Sequence, residues 1–129
     1  MASKIKRIAI FVAILMTSLH AKHLHYESVY QEKFCNKYDG VMEYELKDKT
    51  RVDCITEEFA IEVDFAKKWA ESVGQSLHYS LMTGKKPAIV IIQEVRKDNH
   101  YIGRLKILCK KYNITLFVIN KKFEIAKII

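Results

Sequence analysis

One proline and four glycines in 129 residues are too few for a collagen-like, linker-rich or disordered chain. Internal repeats, low-complexity tracts and linker-like shifts in composition are missing, so nothing divides the chain into units. Zinc-ligand spacing is missing too, with no CxxC and no paired HxxxH. Cysteine is sparse and odd in number: Cys35, Cys54 and Cys109 allow one disulfide with one thiol left over. What remains is the composition of one packed domain, half of it hydrophobic, with a formal charge of +7.

Residues 1–21 read as a secretory signal. Lys4, Lys6 and Arg7 make a positive start, Ile8 to Leu19 is almost wholly apolar, and Ala21 stands at a small-residue cleavage point. The apolar run is shorter than a membrane-spanning helix needs. The expectation is an exported protein, periplasmic or secreted, tethered to a membrane only if this segment is retained. Cleavage removes three positive charges and no acid, taking the net charge from +7 to about +4. Such an excess suits an anionic partner and ordinary solubility alike. Export permits a disulfide. Cys35–Cys54 is the first choice, because both cysteines flank the acidic residues described below; three buried thiols are the alternative.

Residues 22–129 then form one domain. Residues 26–38 suit a helix, with Val29, Tyr30, Phe34 and Tyr38 at helical spacing. Val41–Leu46, Thr50–Thr56 and Phe59–Phe65 read as three strands of a meander. A helix follows over about 65–83, with Asp64 as its N-cap, Gly84 at its end, and Ala66, Trp69, Ala70, Val73 and Leu77 inward. Ala88–Ile92 is a strand buried on both faces, residues 98–113 a further helix, and Ile114–Ile119 a last buried strand. The tail from Lys121 has no clear period. The order αβββαβαβ predicts an α/β fold, a mixed sheet with helices on both faces.

The period of two puts Glu62 and Asp64 on one face of the third strand, opposite Ile61, Val63 and Phe65. It puts Arg51 and Asp53 together on the second, opposite Val52 and Cys54. Carboxylates brought so close raise one another's pKa unless a cation lies between them. Oxygen ligands of this kind suit Mg²⁺ or Mn²⁺, and the alternative is a row of solvated strand ends. On the following helix, Lys68, Gln75 and Tyr79 fall along one polar line.

Asp53, Glu62 with Asp64, and then Gln75-Ser-Leu-His-Tyr79 together resemble the PD-(D/E)xK, restriction-endonuclease-like nuclease superfamily. The QxxxY spacing looks like its RecB-like branch. The stretch from Thr50 to Lys85 is similar to small exported bacterial proteins of that type. The resemblance covers roughly residues 41–120 and implies a metal-dependent nuclease cleaving DNA or RNA outside the cytoplasm. Catalytic roles then fall to Asp53, Glu62, Lys68, Gln75 and Tyr79, with Asp53, Glu62 and Asp64 around Mg²⁺. Glu27, Glu32, Glu43 or Glu45 would add a further carboxylate, and Arg51, Lys85 and Lys86 would hold the nucleic acid. One departure stands out. Asp64 occupies the position where that superfamily carries lysine. Either the amine has moved to Lys68, or the fold retains only binding, to nucleic acid or to an envelope partner.

Overall fold

The computed structural model describes residues 22–129; the signal expected in residues 1–21 lies outside them. Helix α1 (Glu27–Lys37) leads into strands β1 (Val41–Glu45), β2 (Arg51–Ile55) and β3 (Phe59–Phe65). Helix α2 (Trp69–Thr83), strand β4 (Lys86–Gln93), helix α3 (Asn99–Tyr112) and strands β5 (Thr115–Asn120) and β6 (Ile125–Lys127) complete the chain. The six strands form one sheet in sequence order. β1, β2 and β3 are an antiparallel meander, whereas β4 and β5 run parallel to β3 because each is reached through a helix. β6 returns antiparallel to β5; its three residues are too few to show a period in the sequence.

The α/β class and the mixed sheet agree with the sequence pattern. Period-two alternation sends the two faces of the central strands into separate cores. Val90, Ile92, Phe117 and Ile119 pack with Tyr30 and Phe34 of α1. Ile89, Ile91 and Leu116 pack with Ile102, Leu105 and Cys109 of α3 on the other side. β4 is therefore wholly apolar from Ala88 to Ile92, as a strand covered on both faces must be.

Two expectations about α2 need correction. Asp64 does not cap it: β3 runs on to Phe65, and a 3-10 turn at Ala66–Lys68 intervenes before the helix starts. The inward stripe is also rotated, with Ser72, Ser76 and Tyr79 buried while Ala70, Leu77 and Leu81 are exposed. The two serines make this possible. Their hydroxyls donate to Trp69 O and Val73 O in the preceding turn, at 2.7 and 3.0 Å. Burying a satisfied hydroxyl costs little, and the small side chains let the helix sit close to the sheet.

Cys35 of α1 is bonded to Cys54 of β2, with Cα atoms 5.8 Å apart, and Cys109 is a buried free thiol. Gly40 lies against this bridge. A Cβ there would stand 2.6 Å from Cys35 Sγ and closer still to Cys54 Sγ, so only glycine fits.

Candidate functional site

The ladder between β2 and β3 opens where the acidic residues lie. Cys54 pairs with Ile61 and Ile55 with Ala60, and there the pairing stops. Beyond that point Val63 N–H donates to the side-chain Oδ2 of Asp53, at 2.8 Å, rather than to a main-chain carbonyl. The carbonyl of Asp53 accepts from Gln31 Nε2 of α1, at 2.7 Å. The same Gln31 amide donates to Glu43 Oε1, at 2.9 Å. Glu43, opposite Asp53 on β1, has φ 54°, a left-handed conformation that non-glycine residues seldom adopt. The meander is thus forked around one carboxylate, and its main-chain groups are satisfied by side chains.

The fork breaks the alternation expected for β2. Val52 packs with Ala60 and Tyr79 under α2, while Cys54 faces α1 and its disulfide. Arg51 is exposed at the start of β2, paired in register with Glu45. On β3 the alternation holds. Ile61 and Val63 enter the core beneath α1, and Glu62 and Asp64 point together to the other face.

Glu62 and Asp64 are almost completely buried, 5% and 4% exposed. Asp53 and Glu62 act electrostatically on one another, and Glu27 acts on Asp64. Oε2 of Glu62 is buried with no hydrogen-bond partner. Desolvation is the first cause of a rise in all three pKa values. The charge of Asp53 then pushes Glu62 further up, and that of Glu27 lifts Asp64 to about 7 against the pull of Lys68. Burial, followed by the charges of Glu62 and Asp53, holds the Tyr79 phenol above its ordinary value.

Of the four further glutamates considered, Glu27 and Glu43 adjoin the cluster. Glu45 pairs instead with Lys49, at 3.3 Å, and Glu32 is exposed on α1. Lys68 Nζ stands 3.9 Å from Asp64 Oδ1 with its side chain half exposed. Tyr79 is buried against the cluster, but Gln75 is exposed, at the margin of the buried stripe of α2. Lys85 and Lys86 lie at the far end of β3, where their amines bind Glu57 O and Glu58 Oε1 at 2.7 and 2.9 Å. Sequence reasoning missed Gln31; a glutamine one turn before a core phenylalanine carries no signal of its own.

Among the described residues, no three His, Cys, Asp or Glu side chains already converge as a cation cage. The donor set nevertheless fits an ion that retains water. Mg²⁺ is commonly held by one or two carboxylates, with water and substrate phosphate completing its shell. Two adjoining carboxyls with an orphaned buried oxygen require either a shared proton or a cation.

Comparison with known proteins corrects the family expected from the motifs. The chain is similar to two KilA-N domain-containing proteins of Acanthamoeba polyphaga mimivirus. One is 30% identical over 90 residues, covering 70% of this chain and 24% of the relative. The other is 31% identical over 104 residues, covering 81% and 41%. The chain thus spans from a quarter to two-fifths of the length of these relatives. No protein-family model matches it, and no solved structure does. These relatives point to neither the PD-(D/E)xK superfamily nor a bacterial source. The motifs were too short to carry that assignment: Gln75 is exposed, and an acid replaces the defining lysine.

Proposed function

We propose that this chain is a metal-dependent nuclease, hydrolysing phosphodiester bonds of nucleic acid at the carboxylate fork. The proposal rests on the site and on no family assignment. The observation that carries it is the unpartnered, buried Oε2 of Glu62 beside Asp53. An arrangement that strains a domain by burying unpaired acid is readily understood if a cation relieves it.

Asp53 and Glu62 would hold Mg²⁺ or Mn²⁺. Val63 N–H fixes one Asp53 oxygen, and Gln31 braces the main chain behind it. When bound there, the ion would act as a Lewis acid toward the phosphate and would lower the pKa of water. Asp64, raised to about 7, is suited to accept the proton of the attacking water near neutral pH. Lys68, within 3.9 Å of Asp64, offers positive charge to the phosphate. An open groove is lined by Glu27 and by Phe65, the residue that follows Asp64. We also infer export, which the Cys35–Cys54 bond supports because disulfides persist in oxidising compartments.

The test incubates the protein with labelled DNA and RNA in Mg²⁺ or Mn²⁺, beside Asp53→Asn and Glu62→Gln. The expected result is metal-dependent cleavage that both variants lose by at least about a hundredfold, the scale on which removing one transition-state donor slows an enzyme. Cleavage in no metal, or equal cleavage by the variants, would overturn it.

A further inference from the structure

Three neighbouring parallel strands end at one edge of the sheet, and each is followed by a pair of cations. Phe65 is opposite Ile92 and Gln93 opposite Asn120, so β3, β4 and β5 terminate together. Lys67 and Lys68 follow β3, Arg96 and Lys97 follow β4, and Lys121 and Lys122 follow β5. All six are exposed. Among the described residues, Lys68 with Asp64 is the one ion pair that involves any of them. At a strand spacing of about 4.8 Å, the three doublets span roughly 10 Å.

The acids of this edge are largely engaged elsewhere. Glu94 accepts from Leu24 N–H and the Tyr30 hydroxyl, both at 2.8 Å, and pairs with His23. Asp98 accepts from the amides of Glu94 and Val95. Glu124 alone is an exposed acid among the residues lining the cleft between the second and third doublets. α2 and α3 both begin at this edge, adding the positive ends of their dipoles. The opposite end of β3 differs, since Lys86 there is ion-paired with Glu58 and the Lys85 amine donates to the Glu57 carbonyl.

We propose that this edge is a phosphate rail that binds a single nucleic-acid strand and leads it to Asp64. The inference deepens the nuclease reading and rests on it for the direction of travel. A single strand is favoured because Glu62 and Asp64 are recessed. A flexible backbone can lower a phosphate to them, whereas duplex DNA stays stiff over about 150 base pairs.

Fluorescence anisotropy of a labelled oligonucleotide, measured in EDTA over a range of salt, tests binding apart from catalysis. Each cation withdrawn from a phosphate should flatten the log–log salt dependence by about 0.7 for a single strand. Arg96→Ala with Lys97→Ala, and Lys121→Ala with Lys122→Ala, should each flatten it by about 1 to 1.5 and weaken binding roughly tenfold at low salt. Lys85→Ala with Lys86→Ala should leave both unchanged, and thermal melting checks that all variants fold. Undiminished binding in the rail variants, an equal loss in the Lys85 and Lys86 variant, or tighter binding of duplex than of single strand would overturn the rail. Rail-dependent binding without cleavage in any metal would leave the rail standing and sink the nuclease reading.

Discussion

β3 is shared by two unlike half-sheets. Toward β4 it pairs at every position from Phe59 to Phe65, and β4 pairs likewise with β5 from Ala88 to Gln93. Toward β2 its pairing ends at Ile61; beyond it Val63 N–H is held by Asp53 Oδ2, and the Asp53 carbonyl on β2 is held by the Gln31 amide. The parallel half buries aliphatic side chains on both faces. The meander half buries carboxylates, one of them with an unpartnered oxygen. Regular pairing and apolar burial concentrate stability in one half. The other gives up ladder hydrogen bonds and desolvates acid, which is where function is to be sought.

The contrast can be broken most severely from the regular side. Ile91→Ala removes a fully buried side chain between the sheet and α3, and it should cost about 2–5 kcal/mol in urea unfolding. A loss below about 1 kcal/mol would mean that the parallel half is not the anchor. Joint Cys35→Ala and Cys54→Ala substitution frees α1 from β2 and should cost about 2–4 kcal/mol. Because α1 carries Gln31 and Glu27, hydrogen exchange should quicken in α1 and β2 more than in β4. Uniform quickening would erase the distinction between the halves.

The acid cluster gives a pH signature. Burial raises Asp53 to about 6, Asp64 to about 7 and Glu62 to about 10 in the folded protein, above their unfolded values. The folded state then holds protons that the unfolded state has released. Without metal, stability should fall as pH rises from about 4 and go on falling, through Glu62, toward about 10. Glu62→Gln should remove much of the fall, raising the melting temperature at about pH 8 in EDTA. A wild-type melting temperature that climbs across the same window would refute the burial of unpaired acid. The smallest effect is expected at His78, whose Nε2 meets Asp48 Oδ2 at 2.7 Å on the surface. His78→Ala should cost under about 1 kcal/mol, and high salt should shrink even that.

The parallel half was legible because its signals are local. A β-branched run, a helical period and Gly84 with its left-handed φ of 71° each follow from a few adjacent residues. Period two also brought Glu62 and Asp64 to one face. The fork was not legible, since it depends on a left-handed Glu43, a glutamine arriving from α1 and a ladder that stops after Ile61. Hydrophobicity misled the reading of α2, where Ser72 and Ser76 took the inward places of Ala70 and Leu77. The family drawn from Asp53, Glu62, Gln75 and Tyr79 also failed, because four residues at loose spacing are too short a signal to set against relatives similar over most of the chain.

If the fork receives a divalent cation, as proposed, the protein should bind one in solution. Titration calorimetry with Mn²⁺ at about pH 7, on the wild type and on Glu62→Gln, puts this to the test without reference to any substrate. Binding by the wild type should release protons, since the carboxyls must give up the proton that otherwise relieves them, and Glu62→Gln should lose that binding. No heat of binding in the wild type, or equal binding by both proteins, would contradict a cation-binding fork.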